Sequence, residues 1–423
     1  MSAPSSRTSV ALDNLRGIVI LIVLAFHSVL AYLRFLGPDP FPFDLPPYQW
    51  RAFAIVDGRR WLGFDVFCAW QDVYLMSLMF FLSALFTAPS LARKGAPRFL
   101  AQRLQRLGLP YVFAVAVVMP LALYPTYRVS AADPGLDAYA RHYLALPFWP
   151  AGPMWFLWQL LALTVLAAAL HRFAPSAIAL LGRWGSTAGK RPGRFFIGMF
   201  AASALAYVPL ALAVTPMAWS DHGLFSFQLS RPLHYAVYYF AGLGIGAYGL
   251  ERGLLAVDGA LARRWALWLA AALVSLLLWM GLTGLTMREG AAASLGLQVA
   301  TDASFALACA GGCFFVMAAC LRFVAWPSRL LGSVADSAFG MYLFHYVFVV
   351  WLQYLLLGAS IPGFVKGAGV FTATLVLAWA TAAVVRAVPF GAYLLGPERK
   401  LSARAPAPPA TLGLAAGAPP RSR

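Results

Sequence analysis

Charged residues are scarce in this chain. Asp, Glu, Lys and Arg together make up 11% of its 423 residues, and only 15 of them are acidic. A soluble domain averages roughly 25% charged residues, so this chain has less than half the usual amount. So little charge cannot cover a water-facing surface, which excludes an ordinary soluble globular protein. Cysteine is also rare, with four residues in all.

Long apolar runs take the place of the missing charge. Each is about 20 residues long, the length needed to cross a hydrocarbon core of about 30 Å. The pattern predicts an all-α, polytopic transmembrane bundle of about ten spans. The predicted spans cover 14–36, 66–88, 109–128, 153–172, 195–216, 232–250, 265–285, 299–321, 332–357 and 364–386.

The net charge of +17 is spread over short segments between these runs. No compact basic and aromatic module is visible, so we expect no nucleic-acid partner. If the N-terminus is cytoplasmic, 23 of the 32 Lys and Arg residues fall on the inner side. This bias predicts that both termini are cytoplasmic. The basic segments could also meet membrane lipids or a phosphorylated substrate.

The chain is predicted to hold one membrane domain, residues 1–390, followed by a disordered Pro- and Ala-rich cytoplasmic tail, residues 391–423. No soluble second domain is expected. The first apolar stretch, 18–36, is long for a signal peptide and contains His27 and Arg34. No clear cleavage site follows it, so we interpret it as a permanent span.

The first span carries the most informative polar residues. Asp13 and Arg16 lie at its inner mouth, and His27 follows Arg16 by eleven residues, which returns nearly to the same helix face. We expect His27 near the bilayer midplane, facing the bundle interior or a water-filled cavity. Desolvation there favours the neutral imidazole, the form that a general base needs. The alternative is a structural histidine hydrogen-bonded between helices.

A basic segment follows the second span. Arg103 and Arg106 are three residues apart and project to one side of a short helix, and Arg98 adds charge nearby. These residues could bind the phosphates of a cytoplasmic donor such as coenzyme A, because Arg pairs well with phosphate oxygens. The alternative is that they only set the orientation of the chain.

Other polar residues carry weaker signals. Tyr342 and His345 face one side of the ninth span and could line the same cavity, whereas Trp155 could be a site residue or an interfacial anchor. Asp72 and Asp302 are expected near span ends, and four further histidines are expected to be ordinary interfacial residues: His142, His171, His222 and His234. We predict no metal site, and we interpret Cys309, Cys313 and Cys320 as small packing residues.

Five segments in order resemble the acyltransferase 3 family of membrane O-acyltransferases. They are LDNLRGIVILIVLAFH, FFLSALF, the Arg103-x-x-Arg106-x-Gly-x-Pro run, MWFLWQLL and SAFGMYLFH. The short loops and the RLGLP run look most like its glucan succinyltransferase branch. Ala84 stands where the family often carries Gly, which bears on helix packing rather than on chemistry.

The resemblance implies transfer of an acyl group from cytoplasmic acyl-CoA to a hydroxyl of a periplasmic, cell-surface or lipid-linked glycan, in the cell inner membrane. It implies no bound cofactor, since acyl-CoA is the donor substrate. The essential Arg and His of the family would be Arg16 and His27, its basic loop Arg103 and Arg106, and its late Tyr-x-x-His Tyr342 and His345. On this hypothesis His27 is the general base, and Tyr342 a hydrogen-bond donor to the oxyanion.

Two other functions stay open from the sequence. A proton-coupled transporter could use His27, Asp72 and Asp302 as a relay, although no paired halves with interrupted helices are visible. A glycan flippase or a structural assembly subunit would need no chemistry at all, and replacing His27 would leave its phenotype intact.

Overall fold

The computed structural model describes residues 6–396, and these form a bundle of helices with one small hairpin. The helices are α1 (Arg7–Val29), α2 (Leu62–Ala84), α3 (Thr87–Lys94), α4 (Ala96–Arg103), α5 (Leu109–Phe113), α6 (Met119–Ser130), α7 (Leu136–Ala145), α8 (Trp155–Phe173), α9 (Pro175–Lys190), α10 (Pro192–Val214), α11 (Pro232–Tyr248), α12 (Ala260–Arg263), α13 (Trp265–Glu289), α14 (Leu295–Phe323), α15 (Arg329–Leu355), α16 (Gly363–Ala387) and α17 (Pro389–Leu395). The strands are β1 (Trp219–His222) and β2 (Phe225–Gln228), which pair antiparallel.

The predicted helix bundle is confirmed. Among residues 6–396, nine helical segments are long and apolar enough to cross a membrane. The predicted sixth span is α11, whose 17 residues fall just short of that length criterion but within the range of about 17–25 residues that can span. Helix α17 continues to Leu395, past the domain boundary predicted at residue 390, and residues 397–423 of the predicted tail lie outside the described residues.

The third span is a single long helical segment, Ala96–Ser130, interrupted by two π-helical turns. The turns cover Leu104–Gly108 and Ala114–Val118, and each is followed within two residues by a proline, Pro110 or Pro120. Proline lacks an N–H and clashes with the carbonyl four residues earlier, and a widened turn relieves that clash. The basic segment therefore leads directly into an irregular helix.

The bundle has two ends, which we name by the first helix. The N-terminal side is where α1 begins, and the far side is where α1 ends. Helix α16 runs antiparallel to α1, since Gly367 near its start lies against Val29 at the end of α1. The end of α16 therefore returns to the N-terminal side. This arrangement agrees with an even number of crossings, provided that α11 is one of them.

Glycines allow the short α11 to pack deeply. A Cβ atom on Gly242 would lie 2.2 Å from the Phe81 carbonyl oxygen, and one on Gly246 would lie 1.9 Å from that of Leu85, so both residues touch the backbone of α2. Gly244 on the other face approaches Leu181 of α9 in the same way. Small residues four apart permit such close contact between membrane helices. Helix α11 is thereby held between α2 and α9.

Helices α1 and α15 also approach closely on the N-terminal side. A Cβ atom on Gly17 would lie 2.9 Å from the Leu331 carbonyl oxygen, so only glycine fits without a shift of backbone. The two helices run in parallel from this contact toward the far side, where Gln353 of α15 donates to the carbonyls of His27 and Ser28 at 3.0 and 3.1 Å. This pair of helices carries the candidate site.

An aromatic cap covers the far side of these helices. It is formed by residues 33–61, α7 with the segment 146–151 that follows it, and the β1–β2 hairpin, and its core holds Phe43, Trp50 and Phe148 in stacked contact. The cap is fastened to the bundle by a buried ion pair, in which Lys366 Nζ lies 2.7 Å from an oxygen of Asp57. The hairpin reaches inward as well, because the hydroxyl of Tyr111 on α5 donates to the Leu224 carbonyl.

Candidate active site

Two histidines meet between α1 and α15. The Nε2 atom of His345 lies 3.4 Å from Nδ1 of His27, and the two ring centroids are 5.0 Å apart. His345 is fully buried, whereas His27 is partly exposed. Both residues were predicted as site residues from their positions on separate spans, and the structure brings them into contact.

Hydrogen bonds determine which ring nitrogens carry protons. His27 Nδ1 lies 2.8 Å from the Val23 carbonyl oxygen, and His345 Nδ1 lies 2.7 Å from that of Tyr342. A carbonyl oxygen only accepts, so both Nδ1 atoms are donors and both Nε2 atoms of the neutral rings hold lone pairs. The His345 Nε2 lone pair faces the proton on His27 Nδ1. His27 Nε2 makes no hydrogen bond to any described residue, so its lone pair is available.

His27 lies in the last turn of α1. The helix begins at Arg7, ahead of the start predicted at residue 14, and tightens into a 3₁₀ turn at Leu30–Tyr32. The position of His27 near the bilayer midplane stays a prediction. The interior orientation is as predicted. Val23 and Ala31, one turn to either side on the same face, are 3% and 1% exposed, so this face of α1 lies against the bundle interior.

Two neighbours of His27 were not predicted. The ring of Tyr346 packs edge-on against His27 with centroids 5.7 Å apart, and Gln353 holds the backbone at the end of α1. Tyr346 follows His345 directly and faces a neighbouring side of the helix, so its proximity depends on how α15 is rotated against α1. Gln353 is a buried amide in an apolar span, a signal that could have drawn attention to it.

Tyr342 and Trp155 support the site rather than line it beside His27. The Tyr342 hydroxyl donates its one proton to the Pro153 carbonyl. It therefore has no proton left for the hydrogen bond to an oxyanion that was expected from the sequence. Trp155 stacks on Tyr235, with centroids 5.7 Å apart and planes at 21°. Both contacts attach the start of α8 to its neighbours.

Asp13 and Arg16 form an ion pair on the N-terminal side, with 3.0 Å between the guanidinium and the carboxylate. The guanidinium also lies over the Phe86 ring at 4.8 Å. Eleven residues of helix separate Arg16 from His27, a rise of about 16 Å, so neither member of the pair touches the histidines. The pair therefore lies near the start of α1, apart from the histidines.

The predicted basic segment lies beside this pair. Lys94 is within electrostatic range of Arg93, Arg98, Arg103 and Arg106, so these cations form one cluster. Arg103 is partly buried over the Phe99 ring at 5.2 Å, whereas Arg98 and Arg106 are exposed. Thr87, which follows Phe86, shares a hydrogen bond with Tyr239, and Tyr239 lies within electrostatic range of Arg103. The segment that follows α2 therefore contacts Arg16 through Phe86 and leads into the cluster.

A narrow cavity in the aromatic cap lies on the opposite side of the histidines. Its walls include Trp50, Arg51, Gly152, Trp219 and Tyr346. Tyr346 thus contacts His27 with one part of its ring and the cavity with another. The guanidinium of Arg51 lies 4.8 Å from the Phe148 ring and 5.7 Å from the Trp219 ring, which places a cation among aromatic faces.

Three expectations about other polar residues are wrong. His234 is not interfacial but fully buried, with Nδ1 2.7 Å from Ser203 and Nε2 3.1 Å from Ser77, so both of its nitrogens are satisfied. Asp72 lies in the middle of α2, where it forms a bidentate pair with Arg231 at 2.7 and 3.1 Å. Asp302 is buried two turns inside α14. Partners distant in sequence satisfy the polar groups of His234 and Asp72.

Comparison with known proteins decides the family. A family model described as an acyltransferase domain matches residues 9–383, which is most of the chain. The chain belongs to the acyltransferase 3 family. No curated protein and no solved structure matches the chain.

As a member of the acyltransferase 3 family, the protein is an integral membrane acyltransferase. The matched region runs from α1 to α16 and so includes both histidines and the basic cluster. In the part of the chain that the structure describes, no group of three or more His, Cys, Asp or Glu side chains is arranged to hold a metal ion.

Proposed function

We propose that this acyltransferase moves an acyl group from cytoplasmic acyl-CoA to a hydroxyl of a periplasmic, cell-surface or lipid-linked glycan, in the cell inner membrane. His27 is the general base in this proposal. The observation that carries it is the imidazole pair, because hydrogen bonds at both Nδ1 atoms leave His27 Nε2 with a free lone pair inside the bundle.

His27 alone can carry both proton transfers of the reaction. His27 Nε2 takes the proton of the acceptor hydroxyl as its oxygen attacks the thioester carbonyl. The C–S bond breaks, the ester forms, and the imidazolium returns the proton to the leaving coenzyme A thiolate. While His27 is protonated, its Nδ1–H donates to the Val23 carbonyl and to His345 Nε2, so both acceptors stabilise the cation.

His345 is a positioning residue in this scheme. Its own Nδ1 is fixed by the Tyr342 carbonyl, which turns its Nε2 lone pair toward His27. The arrangement resembles the role of the acid in a catalytic triad, which holds the base in one tautomer and one orientation. Here a neutral imidazole performs that task in an apolar setting, where an unpaired carboxylate would be costly to bury.

The donor approaches from the N-terminal side, which we propose is cytoplasmic. Arg103, Arg106 and Arg98 bind the phosphates of coenzyme A, because guanidinium groups bind phosphate oxygens in a bidentate manner. Arg16 continues this basic path to the mouth of α1. The pantetheine arm then carries the thioester along the bundle to His27.

The acceptor approaches from the far side, where the cavity in the aromatic cap, about 20 Å³ in volume, must widen to admit a sugar ring. Trp50, Trp219 and Tyr346 offer aromatic faces for a sugar ring, and Arg51 offers hydrogen-bond donors. Tyr346 forms the boundary between this cavity and His27. Donor and acceptor thus reach the imidazole pair from opposite ends of the bundle.

The test is acyl transfer by the purified protein in proteoliposomes. Acetyl-CoA and succinyl-CoA are supplied in turn, free coenzyme A thiol is measured, and mass spectrometry of glycans from cells with and without the gene identifies the ester. His27→Asn should abolish glycan-dependent thiol release, whereas the matched variant His171→Gln should match wild type. Flux of a solute without consumption of acyl-CoA would instead indicate a transporter.

A further inference from the structure

An open groove lies on the far side, away from the histidines. A groove of about 380 Å³ separates the segment 58–61, which leads into α2, from the segment 360–364, which leads into α16. Its volume falls within the range of roughly 300–1,000 Å³ that is usual for small-molecule sites. No residue that lines the groove forms a hydrogen bond or ring contact with His27 or His345 in the described part of the chain.

The groove carries two uncompensated positive charges. Arg59 is exposed, and its guanidinium makes no hydrogen bond within residues 6–396. The Arg60 guanidinium donates to the Asp57 carbonyl at 3.2 Å and to the Leu36 carbonyl, both of which are neutral acceptors. The Asp57 carboxylate is already paired with Lys366 at 2.7 Å and buried, so it does not cancel these charges.

Helix α16 adds to this positive potential because it begins at Gly363 in the wall of the groove. Its first turn contains no acidic side chain, so the partial positive charge at the helix N-terminus is not neutralised there. Helix α2 contributes less, because Asp65 lies in its first turn and accepts from the backbone of Arg34 and Phe35. The two guanidinium groups therefore dominate, and α16 supports them.

The rim of the groove is apolar. Trp61, Leu62 and Phe364 are 46%, 55% and 51% exposed, and the rings of Trp61 and Phe364 are 6.2 Å apart. These residues lie at the ends of two candidate membrane spans, α2 and α16, where exposed side chains meet lipid. A small soluble anion would gain nothing from such a rim. A ligand with a phosphate head and acyl chains fits both parts.

We propose that this groove binds the head-group phosphate of an anionic phospholipid from the leaflet on the far side. Arg59 and Arg60 hold the phosphate oxygens, and the acyl chains lie along Trp61, Leu62 and Phe364. The site requires no step of acyl transfer. It depends only on the membrane-spanning character of α2 and α16.

The test is lipid retention measured by native mass spectrometry. The full-length protein is incubated in detergent with phosphatidylglycerol, phosphatidylcholine or diacylglycerol, and bound lipid is followed through stepwise delipidation. Wild type should retain phosphatidylglycerol best and diacylglycerol least. Arg59→Gln should weaken retention of phosphatidylglycerol about tenfold, as for loss of one charge-assisted contact. Arg141→Gln, an exposed arginine on α7, should retain it as wild type does.

Several outcomes would overturn the site. If Arg59→Gln and Arg141→Gln retain phosphatidylglycerol equally, the groove does not bind the lipid. If wild type retains diacylglycerol as well as phosphatidylglycerol, the phosphate is not recognised. Preferential displacement of phosphatidylglycerol by a polyprenyl phosphate would show that the bound lipid is a carrier rather than a bilayer phospholipid. Arg59→Lys guards against a folding artefact, since it keeps the charge and should retain an intermediate amount of lipid.

Discussion

The Nε2 atom of His345 faces the Nδ1 atom of His27 at 3.4 Å, across the contact between α1 and α15. The two residues are 318 positions apart in the chain. Because each Nδ1 is held by a carbonyl of its own helix, the relative orientation of the two rings follows from the backbone. The chemistry proposed for His27 therefore depends on helix packing as much as on the histidine itself.

Replacement of the base is the most direct prediction. In His27→Asn, the amide nitrogen can still reach the Val23 carbonyl, but no lone pair remains at the position of Nε2. We expect kcat to fall by about 10² to 10⁴, the usual contribution of general base catalysis. Thiol release in proteoliposomes measures the loss, and size-exclusion chromatography checks assembly. Full activity in a well-folded His27→Asn protein would exclude the proposed mechanism.

Two substitutions of His345 distinguish a positioning role from a purely structural one. His345→Asn removes the acceptor that faces His27, whereas His345→Gln can place an amide oxygen near the same point. We expect kcat of His345→Asn to fall about tenfold or more, with KM for acyl-CoA unchanged, and His345→Gln to recover part of it. A purely structural role would instead lower the melting temperature of both variants alike and leave kcat of the folded fraction unchanged.

The basic cluster should act on donor binding alone. Arg103→Lys keeps the charge that sets topology but loses the bidentate geometry that phosphate recognition uses. We expect KM for acyl-CoA to rise about tenfold with little change in kcat, as for the loss of one charge-assisted hydrogen bond. Steady-state kinetics at two ionic strengths provide the measurement. If Arg103→Lys has wild-type KM, the cluster serves only to orient the chain.

Gly17 tests whether the helix contact controls activity. A Cβ atom at this position would lie 2.9 Å from the Leu331 carbonyl oxygen, so Gly17→Ala must move α1 away from α15. We expect kcat to fall, because the spacing of His27 and His345 changes with it. Gly281→Ala, in open space on α13, is the matched control and should be neutral or stabilising by about 0.5–1 kcal/mol. Equal activity of the two variants would contradict the prediction.

The sequence predicted the helices and the face of α1 well, because apolar runs and a 3.6-residue repeat are local properties. It missed the early start of α1 at Arg7 and its tightening at Leu30–Tyr32, since these boundaries depend on the serine cap at Ser6 and on local packing. The sequence predicted that His345 could line the same cavity as His27, but not that the two rings are in contact. Residue spacing within one span does not report how two spans are rotated against each other.

The remaining differences have the same origin. The partners of Asp72 and His234 lie on other helices, at Arg231, Ser203 and Ser77, so sequence position alone made these polar groups seem peripheral. The β1–β2 hairpin was not expected either. Its strands have four residues each, and one of its stabilising contacts comes from Trp158 on α8, which donates to the Ser226 carbonyl.

The buried pair of Lys366 and Asp57 has a consequence for sequence variation among relatives. Neither side chain is exposed by more than 1%, so loss of one partner leaves the other charge buried and unpaired. This lowers the free energy of unfolding by about 3–5 kcal/mol. An apolar replacement of both is tolerated far better than either single change. The two positions should therefore covary, and a homologue that loses the lysine should have lost the aspartate with it.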